Sequence, residues 1–344
     1  MRIDELKTSL TTLDLPIEFG FEKEFLLQAR SKTDGKIYNL NLAREFLLFL
    51  SKVRIPYGHS IVEEYSRCLV EVVSKPYRTD TVFDGLKKIN QMHSFIESKL
   101  RSFVKRTYPR LTEYYDITLS DRGSSPANQY LCYDLEILSD QKYPADIVLP
   151  QYKKYIERYG DTSWRVGKVN EKIIGTYNHI NSFHITFHPT YAAGFSFENY
   201  ITTLSAVRNL ILKYEKYDKG NKGLYRNGKK IKFEKNVRDL FLKKFLRLHA
   251  GECGMNFSIP DDPADAAAYF VAFTKKLTGI IGTLDIDRSY KNWSAYNMRP
   301  RVINNQIPGV EIRQFGSNFS RSKYATKLIN EIIKIDSKLN HIPL

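Results

Sequence analysis

Ile17-Glu18-Phe19-Gly20-Phe21-Glu22-Lys23-Glu24-Phe25-Leu26-Leu27 alternates with a period of two. Phe19, Phe21, Phe25 and Leu27 share one parity, and Glu18, Glu22, Glu24 and Leu26 share the other. That period predicts a β-strand with one face packed on a core. The opposite face then gathers three carboxylates, two of them only two residues apart. Like charges so close on one sheet face repel, so the strand invites a cation. A solvated strand face is the plainer account of a lone Glu-x-Glu. The reading therefore depends on what else converges there.

Three later segments qualify. In Ile61-Val62-Glu63-Glu64-Tyr65-Ser66-Arg67-Cys68-Leu69-Val70-Glu71-Val72-Val73, Glu71 sits inside an apolar run. A carboxylate there costs several kcal/mol unless it is paired or metal-bound. It calls either for a core arginine or for a cation, with Glu63 or Glu64 as its neighbour across the turn. In Asn178-His179-Ile180-Asn181-Ser182-Phe183-His184-Ile185-Thr186-Phe187-His188, parity puts His184, Thr186 and His188 on one face and Phe183, Ile185 and Phe187 on the other. A lone strand histidine is usually structural, but two aligned with a threonine suit a site. Finally, Met298-Arg299-Pro300-Arg301 precedes Val310-Glu311-Ile312-Arg313-Gln314-Phe315, where Glu311 and Arg313 share a face. On a surface that pair is worth little; beside a metal it becomes a ligand and a phosphate clamp.

The chain around these segments is long enough, at 344 residues, to bury a large core, in two domains or one elaborate one. Its 42% hydrophobic and 26% charged content is that of a globular protein. The formal charge of +15 favours anionic partners: nucleotides, acidic or phosphorylated substrates, nucleic acid or an anionic membrane surface. Cys68, Cys132 and Cys253 have no spacing for a zinc knuckle or redox pair, and an odd, sparse set suits a reducing compartment. No window approaches about 18 uninterrupted apolar residues, and the N-terminus lacks a signal-peptide core. A cytoplasmic protein with no membrane partner is the expectation.

Periodicity predicts helices over 2–13, 42–53, 82–105, 145–159, 197–217, 236–248, 263–281 and 321–338. It predicts strands over 17–27, 57–64, 67–74, 113–119, 130–138, 181–188 and 310–315. Asp80 or Thr81 would cap the helix at 82–105, whose apolar side reads Phe83, Leu86, Ile89, Met92 (or His93), Ile96 and Leu100. Residues 218–235 carry seven Lys and Arg with three glycines, which reads as an exposed basic loop or hairpin inserted into a single domain spanning 1–344. Interspersed strands and helices with hairpin spacings predict an antiparallel α+β fold.

The order Glu-x-Glu, two glutamates seven or eight apart, a strand histidine, paired arginines and a last Glu-x-Arg resembles the carboxylate–amine ligase superfamily. Its members include glutamine synthetase, glutamate–cysteine ligase and amidoligase-like proteins. Gly20-Phe21-Glu22-Lys23-Glu24-Phe25 is close to the opening motif of the glutamate–cysteine ligase branch. The resemblance covers 17–75, 178–190 and 293–316. It implies a curved antiparallel sheet forming a cradle for ATP and Mg²⁺ or Mn²⁺, backed by helices.

By the same resemblance, Glu24, Glu71 and Glu64 (or Glu63) match ligands of the ion nearest the acceptor substrate. Glu22, His184 and Glu311 match ligands of the ion against the ATP phosphates. Arg313, Arg299 and Arg301 match arginines that bind phosphates and the transferring phosphoryl group. Thr186 departs from the family pattern. Glu18 and Glu63 are the general-base candidates. The implied reaction activates a carboxylate as an acyl phosphate, which an amine attacks to form an amide. The alternatives are phosphotransfer on the same fold and a basic nucleic-acid-binding or nuclease protein. The acid and amine substrates and the oligomeric state stay open.

Overall fold

The computed structural model describes residues 15–35, 37–40, 42–63, 68–121, 132–133, 182–191, 197–218, 225–226, 229–230, 298–303 and 307–339. The first element among the described residues is the strand β1 (Glu18–Ser31), four residues longer at its end than the alternation alone indicates. β1 is followed by β2 (Ile37–Leu40), α1 (Ala43–Leu50), β3 (Ser60–Glu63), β4 (Leu69–Val73), β5 (Tyr77–Arg78) and the long helix α2 (Val82–Thr107). Then come α3 (Leu111–Tyr114), β6 (Tyr115–Ser120), β7 (Cys132–Tyr133), β8 (Ser182–His188) and α4 (Phe197–Tyr214). A small ladder of β9 (Tyr225–Arg226) and β10 (Lys229–Lys230) precedes β11 (Met298–Ile303), β12 (Ile307–Gly316) and α5 (Lys323–Leu339).

β1 is the spine of a ten-stranded sheet. One of its edges carries β8, paired over Glu18–Lys23, and then β6, paired over Leu26–Ser31. The other edge carries β5 at Glu18 and Phe19, β4 over Glu22–Leu26 and β2 over Gln28–Arg30. β12 extends the sheet from β8, and β11 lies beyond it. All these pairings are antiparallel; the short β2–β7 contact is parallel. The molecule is therefore α+β, an open, mostly antiparallel sheet with helices.

One sheet face is apolar. Phe19, Phe21, Phe25 and Leu27 from β1 are buried with Phe183, Ile185 and Phe187 from β8 and Val310, Ile312 and Phe315 from β12. Helices α2, α4 and α5 contribute Ile89, Met92, Ile96, Leu204, Val207, Ile211, Leu328, Ile329 and Ile332 to the same cluster. Burying such side chains stabilises by roughly 1.5–3 kcal/mol each. Phe21 stacks on Phe183 with ring centroids 5.8 Å apart, and Phe19 on Phe187 at 5.7 Å. The register that places the Phe row in the core leaves the Glu row on the other face, because a one-residue slip would exchange them.

Several expectations need correction. Phe83 is exposed and Val82 is buried in its place, so the apolar stripe of α2 starts one residue earlier. Thr81 precedes α2 but makes no capping bond; its hydroxyl instead exchanges hydrogen bonds with the backbone of Arg78. Glu113 and Tyr114, expected to open the strand at 113–119, instead close a helical turn (Leu111–Tyr114), and the strand begins at Tyr115. The strand at 57–64 starts only at Ser60, because Pro56–Gly58 form a 3-10 turn with Tyr57 and Gly58 at positive φ. The helices expected at 2–13, 145–159, 236–248 and 263–281 lie outside the described residues. So does most of the basic 218–235 segment, although Asp218 is buried and accepts from the Gly316 N–H at 2.8 Å.

Candidate metal centre

Strand pairing assembles the polar face. Glu22 registers with His184 across the β1–β8 ladder, and Glu24 registers with Glu71 across β1–β4. On β12, Glu311 registers with Thr186 of β8, which in turn faces Gly20 of β1. Four strands thereby deliver side chains to one patch.

His184 stands at its centre, 2% exposed. Its Nδ1 lies 3.0 Å from Glu22 Oε2, 3.7 Å from Glu311 Oε1 and 4.0 Å from Glu71 Oε1. Ligand atoms of Glu22, Glu71 and His184 all fall within 4.8 Å of one another, a span that one cation could bridge. The other ring nitrogen, Nε2, is 2.8 Å from Ser182 Oγ. A hydroxyl serves either tautomer. With the proton on Nδ1, the imidazole donates to Glu22. With it on Nε2, the imidazole donates to Ser182 and turns the Nδ1 lone pair toward the carboxylates, the form a metal ligand needs.

The donor set fits a hard divalent ion. Carboxylate oxygens with one imidazole suit Mg²⁺ or, more readily, Mn²⁺. Carboxylates gathered in a buried patch repel one another unless a proton or a cation intervenes. Glu311 is fully buried, and Arg313 Nε lies 3.4 Å from its Oε1, giving partial compensation from one side. Thr186 Oγ1 is buried without a hydrogen-bond partner among the described residues, so a polar donor sits beside Glu311.

The remaining expected residues fall in different places. Glu24 is 3% exposed and accepts from the Ser182 backbone N–H at 2.8 Å, while Ser317 Oγ donates to the Glu24 carbonyl at 2.7 Å. Glu71, expected with Glu24 on a separate ion, lies in the Glu22–His184 group. Arg299 registers with Glu311 and Arg301 with Gly309. Glu63 registers with Val70, whereas the residue opposite Glu71 is Val62. Glu64 lies outside the described residues. His188 sits four residues from His184, about 13 Å along a strand. Its Nδ1 lies 3.0 Å from the Pro189 carbonyl and its Nε2 lies 3.9 Å from Glu18. Glu18 also accepts from Arg78 Nε at 3.3 Å.

Lys23 is the residue that sequence reasoning passed over. It occupies a core-parity position and is fully buried. Its ammonium donates to Asn90 Oδ1 at 2.8 Å, Ser320 Oγ at 2.9 Å and Asp121 Oδ2 at 3.3 Å, using all three protons. Desolvation, opposed by the nearby Asp121, lowers its pKa to about 8. This network ties β1 to α2 and to the 3-10 turn after β12. The signal was a lysine of Phe parity between Phe21 and Phe25.

No family model matches the chain, and no curated protein matches it. Among solved structures, it is similar to Plasmodium falciparum glutamine synthetase with a TM-score of 0.38 and 9% identity. The match covers 99% of this chain and 55% of that one, so the chain spans about half its length. A likeness of that size carries no argument about activity. Among the described residues, no helix is long and apolar enough to cross a membrane.

Proposed function

We propose that the chain is an ATP-dependent carboxylate–amine ligase, a single catalytic domain of the glutamine synthetase, glutamate–cysteine ligase and amidoligase-like kind. The observation that supports this most is the convergence of Glu22, Glu71 and His184 within 4.8 Å, from strands whose motifs suggested such a site. Glu22, Glu71, His184 and Glu311 would hold the divalent ion, with Glu24 beside them. A bound Mg²⁺ or Mn²⁺ supplies charge neutralisation for the ATP phosphates and orients the terminal phosphoryl group toward a carboxylate.

The chain's own groups supply the rest. Ser182 holds the imidazole ring at Nε2 and the Glu24 carboxylate through its backbone N–H, fixing two donors at once. Arg313, 15% exposed, can follow charge as it develops on the transferring phosphoryl group. Arg299 and Arg301, on the strand paired with that of Glu311, are the further arginines proposed to bind the phosphates. The Thr186 hydroxyl is available to donate to an anionic oxygen. The product of phosphoryl transfer to a carboxylate is an acyl phosphate; an amine attacking its carbonyl expels phosphate and leaves an amide.

The test is ATP turnover by the intact protein with Mn²⁺ and pools of carboxylates and amines, followed by phosphate release and mass analysis. The reading predicts metal-dependent phosphate release matched by an amide product, both abolished in Glu22→Gln. A phosphorylated product without an amide would instead establish phosphotransfer on this sheet. Turnover unchanged by the substitution would defeat both.

A further inference from the structure

The charge of +15 is not explained by a metal site made of carboxylates. Part of the excess is organised on the other side of the molecule. α5 presents Lys323, Lys327, Asn330, Lys334 and Lys338 to solvent, spaced four, three, four and four, which is one face of a helix. Its two carboxylates are turned elsewhere. Asp336 is buried and accepts from the Thr190 N–H and hydroxyl. Glu331 accepts from Lys213 Nζ and Tyr214 Oη on α4 at 2.7 and 2.6 Å. Burial opposes its ionisation, yet those two bonds hold the carboxyl below its ordinary range. Lys334 contributes to that field, so it is partly spent on Glu331.

At the α4–α5 junction the cations are ordered by rings. Tyr217, in the 3-10 turn Glu215–Tyr217 after α4, stacks on Tyr324 with centroids 3.9 Å apart and planes 9° from parallel. Lys216 Nζ lies 4.9 Å from the Tyr217 centroid. Lys323 and Lys327 lie 5.5 and 5.9 Å from the Tyr324 centroid. The pair of rings therefore holds three exposed ammonium groups, none with a carboxylate partner among the described residues. Cation–π contacts restrain side chains that otherwise sweep freely, so less entropy is lost when an anion engages them.

We propose that this ridge binds the phosphate backbone of nucleic acid through Lys216, Lys323 and Lys327. The ridge is a convex helix surface bearing point charges, which suits a polyanion contacted along its backbone and read without regard to sequence. A protein partner would need buried aromatic or apolar anchors, and here the rings are occupied by lysines. Leu212, one turn before Lys216, is an exposed large aliphatic residue of this part of α4. A single such residue is ordinary on a surface and too little to anchor the ridge in a bilayer.

The experiment measures binding of the intact protein to a fluorescein-labelled single-stranded oligonucleotide and to its duplex, by anisotropy across a salt series. The triple variant Lys216→Glu, Lys323→Glu, Lys327→Glu is compared with Lys229→Glu, Lys230→Glu, Lys232→Glu, which makes the same charge change in the basic 218–235 segment. The proposal predicts at least about tenfold weaker single-strand binding by the ridge variant, with a log–log salt slope smaller by about 2, and less than about threefold for the other. A triple Lys→Gln version should lower the slope in the same way, should the charge reversal compromise folding. Four results overturn it: no wild-type binding at low salt; equal or greater weakening by the 229–232 set; no weakening by either ridge variant; or tighter binding of the ridge to phosphatidylserine vesicles or polyglutamate than to the oligonucleotide.

Discussion

His184 places one imidazole nitrogen against a hydroxyl and the other against three carboxylates. That asymmetry makes a prediction about Glu71. In metal-free protein, Glu71→Gln removes one of the mutually repelling charges and should raise stability by about 1 kcal/mol. The same change should erase the thermal stabilisation that millimolar Mn²⁺ confers on the wild type, whereas a purely structural ion-pair network would lose stability on both counts. Paired melts with EDTA and with Mn²⁺ decide between them.

Lys23 makes a second prediction at this scale. Its folded pKa, about 8, lies below the ordinary 10.5. Below about pH 8 both states are protonated, and the folded state bears the full cost of the buried charge. Between 8 and 10.5 the folded state releases its proton first, so this contribution to stability rises with pH, by roughly 3 kcal/mol at most. Lys23→Met should abolish that rise; the difference in unfolding free energy between wild type and variant, followed from pH 7 to 10.5, measures it. A difference independent of pH would contradict the assignment.

The residues of this patch were legible as types, since Glu22, His184 and Glu311 mark the polar parity of their strands and Glu71 interrupts an apolar run. Their grouping was not. The family resemblance implied two ligand sets, but Glu71 lies in the Glu22–His184 group because strand pairing sets diagonal neighbours that spacing along one strand does not show.

Among the elements, β1 controls the outcome, and its alternation was readable because one side is wholly apolar. α2 locks that face. Gly85 sits where its helix crosses Tyr77, and a Cβ there would come 2.4 Å from the ring. Gly85→Ala should therefore destabilise by about 1–3 kcal/mol, despite alanine's better helix propensity. Chemical denaturation measures this, and a stabilised variant would show that the helix can shift without cost. β11 was missed as a strand because Pro300 interrupts it. Proline is tolerated there because β11 ends the sheet order among the described residues, so one side of it needs no donor. β2 and β5 were missed for a different reason: with four and two residues they are too short to show a period. They are held by β1.

At the scale of the whole molecule, the sheet separates two chemistries. Among the described residues, its polar face gathers Glu22, Glu24, Glu71 and Glu311, while the α4–α5 ridge carries a set of exposed lysines. The antiparallel α+β class was legible from the interspersed elements and hairpin spacings. The path of the sheet was not, since β8 and β12 come from distant parts of the chain to flank β1, and no local pattern records such pairing.

Metal binding tests the central claim most directly. Titrating the intact protein with Mn²⁺, followed by electron paramagnetic resonance and by the shift in melting temperature, should reveal saturable binding. At a free concentration a hundredfold above Kd that binding stabilises by about 2.7 kcal/mol. Glu22→Gln and His184→Ala should each lose it, and adding ATP should alter the bound-Mn²⁺ signal in the wild type. Absence of saturable Mn²⁺ binding, or binding equally strong in both variants, would contradict a metal centre on this face.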